Sequence, residues 1–510
     1  MKMMKLIYNE IIKQTKKTSF KICFIILLIA AVLIPVFAKM YTLNDDMQSY
    51  PLYTPEEIEM FEIEKTENPK TSEEIYMNEV TELQKEVTKL GIKNKAQMTE
   101  INSDLYNAYI EYSQSILCID KYLSGQFDEK TFEKFYYLED LKNPTKEELE
   151  LLKKENQDKK EITYQAIESG EYKNFLIMKT EELKNDESIA KDEYFQNKIK
   201  YYEKLVELGI TNQKDSRLEK VMGLIDLESF IEVPVSEKEY KVGYSEYNAS
   251  YETYLKATEM SNNSIKDDIT KGWYSIEKGI EYENDLKATM ETTNMVNKVI
   301  LSLVTIIIAG SIVANEFQKG TIRLLVITSN KRWKILLSKF MAVVVLIIGL
   351  SLISYIISFI VSGLLFGFSS YFMPDLKVVS GVVTEQSYLI NQLITLIYNI
   401  IPVVFVGLIA FFLSTITNNT AVSVGIAIFL LAGYELPTML LAYLGFPFTI
   451  YTFLPYLDFS QFLDYELLGT NILNYGYIYS VKTAIIVLAI WSIIIYIVTN
   501  LVFARKDIKN

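Results

Sequence analysis

The stretch Asn315–Lys339, NEFQKGTIRLLVITSNKRWKILLSK, lies between the apolar run Met295–Ala314 and the apolar run Phe340–Phe368. A chain leaving one run of hydrocarbon-spanning length for another must turn at a face of the bilayer. One acid, Glu316, stands against Lys319, Arg323, Lys331, Arg332, Lys334 and Lys339. Short loops with such an excess of Lys and Arg are retained on the cytoplasmic side. The loop therefore predicts both a membrane protein and its orientation.

Composition agrees. The 510 residues are 50% hydrophobic yet 23% charged, a mixture that requires the charge to be segregated along the chain. Residues 39–294 hold 33 Lys+Arg and 55 Asp+Glu, whereas the remainder holds 18 basic and 9 acidic residues. An acidic insert and a basic rim are expected on opposite sides of a bacterial membrane, and so acidic a domain argues against a nucleic-acid partner. Cys23 lies inside the first apolar run and Cys118 in the insert, so no disulfide framework is expected. An external domain without disulfides suits a bacterium.

Six runs are long enough to cross about 30 Å of hydrocarbon as helices, at roughly 17–25 apolar residues each. They are Ile22–Ala38, Met295–Ala314, Phe340–Phe368, Leu389–Leu413, Ala421–Tyr443 and Val481–Phe503. Lys2, Lys5, Lys13, Lys16, Lys17 and Lys21 precede the first run against Glu10 alone, and Arg505, Lys506 and Lys509 follow the last against Asp507. Both ends are thus expected in the cytoplasm. No Lys or Arg occurs between Ala442 and Tyr479, where Asp458, Asp464 and Glu466 fall. The first run has an alternative reading as a signal peptide ending at Val36-Phe37-Ala38; its length and the even number of spans favour a membrane helix.

The expected organisation is a cytoplasmic amphipathic helix over 1–19, a first transmembrane helix over 20–38 and an extracellular, mainly helical domain over 39–294. A five-helix transmembrane region follows over 295–504 with the loop 315–339 inside it, then a cytoplasmic tail over 505–510. Met4, Ile7, Tyr8, Ile11 and Ile12 recur at helical spacing among lysines, as in a helix lying on membrane lipid; a solvated basic leader is the alternative. In the insert, Tyr76, Val80, Leu83, Val87 and Leu90 form one helical seam before Gly91, and Phe195, Ile199, Tyr202 and Val206 form another before Gly209. Ile231–Tyr244, with Pro234 and Gly243, is expected to be a short β or loop section.

The chain has no histidine, which removes His-based metal sites, triads and proton shuttles. Two isolated cysteines exclude thiolate clusters, and no Gly-x-x-x-x-Gly-Lys-Ser/Thr loop occurs. The acidic pairs Glu56-Glu57, Glu73-Glu74 and Asp267-Asp268 read as solvated helix faces. No catalytic, cofactor or metal residue is assigned, and a non-catalytic membrane subunit is expected.

Within the loop, Glu316-Phe317-Gln318-Lys319-Gly320-Thr321-Ile322-Arg323-Leu324-Leu325, followed by Ser329–Phe340, resembles the cytoplasmic loop of ABC-2 type exporter permeases. Phe453-Leu454-Pro455-Tyr456-Leu457-Asp458-Phe459-Ser460 resembles the re-entrant external stretch before their last span. The likeness covers about half the chain, the spans and their loops. It implies an α-helical fold, a six-helix transmembrane permease bundle with a large extracellular helical domain. It also implies a separate cytoplasmic ABC ATPase and a second permease copy or paralogue, as a homo- or heterodimer. Glu316, Phe317, Gly320, Thr321, Ile322, Arg323, Leu324 and Leu325 would then form the ATPase-coupling segment. The residues themselves allow this: Gly320 permits a tight reversal, Thr321 can cap a following helix, and Ile322, Leu324, Leu325 and Ile327 supply an apolar side. A basic loop that only grips anionic headgroups needs charge, not that order.

Ser351, Ser354, Ser358 and Ser362 share one face of the third span, where small residues let helices approach. Glu435 is the one carboxylate well inside a span and a possible gate, or else a side chain that snorkels to the surface. The expected function is export of a lipophilic or peptide-like substrate. A membrane-anchored receptor that only displays the insert is the alternative, and an ion-coupled secondary transporter would call for more intramembrane charge than Glu435.

Overall fold

The computed structural model describes residues 2–47, 51–136, 144–186, 191–243, 249–280, 285–321, 331–444, 446–462 and 480–505. The chain divides into two units, Met1–Leu43 with Phe230–Asn510, and Asn44–Ser229. The insert read as 39–294 is therefore shared between them, because Phe230 onward groups with the apolar helices.

The first unit starts with α1 (Lys2–Thr15) and α2 (Thr18–Met47) and resumes with α11 (Glu237–Gly243), α12 (Tyr251–Lys278), α13 (Asp285–Ile312) and α14 (Ala314–Gln318). It continues through α15 (Arg332–Phe366), α16 (Tyr388–Thr417), α17 (Thr420–Gly433), α18 (Glu435–Tyr443) and α19 (Val481–Arg505). Among the described residues five helices are long and apolar enough to cross a membrane, or six if the bent pair α17 and α18 is one span. The protein is an α-helical membrane protein.

Burial explains which helices lie where. On α2 Cys23, Leu27, Ala31 and Pro35 are buried, while Ile22, Ile25, Ile26, Ile29 and Leu33 are exposed; a helix apolar all round offers one stripe to protein and the rest to lipid. The opposite case is α13, where Leu301, Val304, Thr305, Ile306, Ile308 and Ala309 are all buried, so it is the central helix. Small residues let its neighbours close in. A Cβ on Gly407 would meet Thr305 Cγ2 at 2.8 Å, and one on Gly310 would meet Val424 Cγ2 at 2.8 Å. The serine face of α15 packs as expected: Ser358 Oγ donates to Ala31 O at 3.3 Å and accepts from Asn297 Nδ2 at 3.3 Å.

Three features differ from the sequence reading. The fifth apolar run is not one straight helix but breaks at Tyr434, with a bend of 57° between its halves. Pro374–Val379 (β1) and Val382–Ser387 (β2) form an antiparallel hairpin between α15 and α16, held by Lys287, whose ammonium lies 3.1 Å from Asp375 Oδ1. Ile231–Tyr244 contains no strand among its described residues; a loop leads into α11.

The second unit consists of α3 (Pro55–Glu64), α4 (Ser72–Asn94), α5 (Glu100–Leu123), α6 (Glu129–Phe135), α7 (Lys146–Ser169), α8 (Lys173–Asn185), α9 (Glu193–Leu208) and α10 (Leu218–Ser229). Capping boxes start several of them, Thr71 with Glu74 and Thr145 with Glu148 among them, and satisfy otherwise orphaned amides. Gly209 ends α9 in the left-handed region at φ +67° as expected. Gly91 does not end α4, which runs on to Asn94. Its lack of a side chain serves packing instead, since a Cβ there would meet the Tyr53 ring at 2.3 Å. Tyr76, Val80, Cys118, Ile119, Phe127, Phe132 and Leu149 make one core cluster, and Tyr172, Phe175, Leu176, Tyr202 and Leu205 are fully enclosed elsewhere in the unit.

Candidate functional site

The loop that opens at Asn315 is built onto a charge cluster. After α13 the backbone breaks at Val313 and restarts as the short α14, which turns Glu316 inward to 3% exposure. Lys339, read as the end of the loop, lies on α15, which begins at Arg332; its side chain is completely buried. Lys339 Nζ sits 2.8 Å from Glu316 Oε1 and 2.8 Å from Glu10 Oε1. Lys13 also bonds Glu316 Oε1 from a half-exposed position. Three separated segments of chain thus meet at one ammonium: α1, α14 and the start of α15.

The electrostatics make this cluster consequential. A buried ion pair is held only if partners offset desolvation, and losing one partner is severely destabilising. Here two carboxylates flank one buried ammonium, and a second oxygen of each, Glu10 Oε2 and Glu316 Oε2, is buried with no hydrogen-bond partner among the described residues. Burial, with Lys13 and Lys339 nearby, pushes Lys17 down to about 8, opposed by Glu316 and Glu10. The cluster is therefore dense in charge and incompletely bonded among the described residues, which is costly in a low-dielectric interior.

Uncharged contacts hold the same short helix. Ala314 N donates to Ser414 Oγ at 2.9 Å, Thr420 Oγ1 donates to Asn315 Oδ1 at 3.1 Å, and the Phe317 ring meets Phe503 edge to face. Arg332 Nη1 donates to Ala504 O at 2.8 Å. The base of the loop is thereby tied to α16, α17 and α19 as well as to α1 and α15.

Of the expected loop residues, Glu316 and Phe317 lie in this hub. Gly320 has φ +67°, the left-handed turn expected of it. Thr321 Oγ1 reaches back to Glu316 O at 3.5 Å. Ile322, Arg323, Leu324 and Leu325, together with any helix that Thr321 caps, fall outside the described residues. Glu435 stands apart: it opens α18 at the bend, with its side chain exposed. The stretch Phe453–Ser460 folds into short 3-10 turns against the bundle, with Tyr456 and Phe459 fully buried and Asp458 Oδ1 2.6 Å from Lys298 Nζ of α13.

Sequence reasoning missed Glu10, counted only as a lone acid in a basic leader. A signal was present. Glu10 and Gln14 extend the helical stripe of Met3 and Ile7, and both are buried, whereas Met4 and Tyr8 of the apolar set are exposed.

The fold and this buried cluster define a multi-span α-helical membrane protein with a second helical unit inserted in its chain. Residues 271–509 match a family described as "Protein of unknown function (DUF2705)". The chain is 29% identical over 293 residues to "Uncharacterized protein YhcI" of Bacillus subtilis (strain 168), which covers 57% of this chain and 91% of that one. It is 32% identical over 135 residues to "Uncharacterized membrane protein YdbK" of the same organism, 26% of this chain and half of that one.

Proposed function

We propose that this chain is the membrane subunit of an ATP-binding cassette exporter of the ABC-2 type. It sits in the bacterial cell membrane with both termini in the cytoplasm and Asn44–Ser229 outside, and moves a lipophilic or peptide-like substrate. A separate cytoplasmic ATPase supplies the energy, and a second copy or a paralogous permease completes the pathway. The observation that carries this reading is the Glu10–Lys339–Glu316 cluster. A loop that only gripped headgroups would need surface charge. This loop is anchored at both of its ends to one buried ammonium, which also holds an amphipathic helix. A push on the loop from a soluble partner would therefore move α1, α13 and α15 together, which is what coupling requires.

The test separates partner docking from lipid gripping. Leu324→Asp charges the apolar side of the loop and is expected to abolish co-elution with the candidate ATPase or its substrate-stimulated hydrolysis in lipid, with insertion intact. Replacing Lys331 and Arg332 with Gln should do less, since each contributes about 1 kcal/mol of attraction to an anionic surface. Normal activity in Leu324→Asp, or the reverse order of effects, rejects coupling through this loop.

A further inference from the structure

In the second unit, α4 and α7 both pack against α5. Along it runs a cleft of about 600 Å³, within the span of roughly 300–1,000 Å³ usual for small-molecule sites. A second hollow of about 440 Å³ shares Ile116 and Lys160 with it and continues toward Tyr109 and Tyr164, whose rings lie 5.9 Å apart. The floor is apolar: Leu83, Ile116 and Leu117 are half-buried, and Ile75 at one end is 41% exposed.

The wall is acidic. Glu79, Glu82, Glu86 and Asp120 line the main cleft against Lys65 and Lys160. Three of these carboxylates already bind an ammonium of the chain: Glu79 pairs with Lys121 at 2.7 Å, Asp120 with Lys153 at 2.5 Å, and Glu82 with Lys65. The wall therefore accepts amines in more than one place. Glu86 is exposed and has no ion pair among the described residues. The surrounding charge is of the same sign, since residues 44–229 carry 42 Asp+Glu against 25 Lys+Arg, and such a field concentrates cations. Burial pushes the Tyr109 hydroxyl up, with Tyr164, Glu86 and Glu161 adding to it.

A further feature points to a ligand independently of charge. Ser113 lines the cleft, is 6% exposed, and its Oγ is buried with no hydrogen-bond partner among the described residues. Buried hydroxyls are nearly always bonded, and one that is not calls for a missing partner.

We propose that this cleft binds an amphipathic amine: its apolar body lies on Leu83, Ile116 and Leu117, its ammonium meets Glu86 and Glu82, and a polar atom of its body reaches Ser113. The site shares no residue with the loop cluster and stands whether or not the chain is an exporter.

The test uses the full chain in nanodiscs of phosphatidylcholine, with empty discs subtracted, and dansylcadaverine as the probe. Fluorescence anisotropy should show saturable binding that weakens with added salt, while the uncharged analogue dansylamide binds at least about tenfold more weakly, as befits loss of a charge-assisted contact. Glu86→Gln changes an exposed residue and should weaken the probe by about the same factor; Ile116→Trp, which fills the floor, should block it. Thermal unfolding of both variants checks that they fold. Absence of saturable binding, equal binding of dansylamide, or unchanged affinity in Glu86→Gln overturns the proposal.

Discussion

Lys339 Nζ lies 2.8 Å from Glu316 Oε1, with the Lys339 side chain wholly buried and that of Glu316 4% exposed. The bond closes the base of the loop between α13 and α15, and Glu10 ties the amphipathic helix into the same closure. Its energetics can be tested apart from any transport assay.

Removing the shared cation should cost most. Lys339→Met leaves two buried carboxylates without it and is expected to lower stability by about 3–5 kcal/mol. Adding Glu10→Gln and Glu316→Gln to Lys339→Met should recover much of that loss, because the uncompensated charge goes with it. Thermal unfolding of purified protein in detergent measures both. A single variant as stable as the parent would show that the cluster is not a structural tie.

Close helix approach gives a second contrast. Gly407→Ala places a methyl 2.8 Å from Thr305 Cγ2 and should destabilise by about 1–3 kcal/mol through overpacking. Gly349→Ala meets nothing within 4 Å and should be neutral or gain up to about 1 kcal/mol from helix propensity. The same unfolding measurement orders them.

The second unit has its own enclosed core, so a fragment covering Asn44–Ser229 should fold alone. Circular dichroism is expected to show a helical spectrum with one cooperative thermal transition. A disordered or mainly sheet spectrum would mean that the unit depends on the membrane helices.

That unit should also carry an acid-sensitive contact. Burial alone would raise the Glu182 carboxyl, but Lys179, the Tyr112 hydroxyl and Lys159 pull it below its ordinary value of 4.5. A depressed carboxylate contributes stability above 4.5 and loses it as pH falls through the lowered folded value. Parent and Glu182→Gln should therefore differ in unfolding temperature at pH 7 and converge as the pH drops below that range. A constant gap would remove Glu182 from the account.

Orientation is open to labelling. In a cysteine-free background, a cysteine at position 186 should react with an impermeant maleimide on intact cells and one at position 330 should not. The inverted pattern would place the basic loop outside.

The apolar runs, the basic loop, the acidic insert and the helical seams were legible from the sequence because each is written in consecutive residues. Hydrocarbon length, charge sign and a period near 3.6 need no knowledge of the fold. The left-handed turns at Gly209 and Gly320 were legible for the same local reason. The charge cluster was not: Glu10 and Lys339 are separated by 329 positions, and nothing local distinguishes Lys339 from the other loop lysines. Only the packing of α1 and α14 against α15 decides which ammonium is buried. Gly91 inside α4 and the bend before Glu435 were likewise decided by contacts and helix breaks that propensity does not encode, whereas the hairpin over Pro374–Ser387 has a local signal that the reading passed over, the Ser380-Gly381 turn, both residues at positive φ, between pairs of valines. Local chemistry sets which segments leave water, but which faces then meet, and so which charges share a buried partner, depends on the tertiary arrangement.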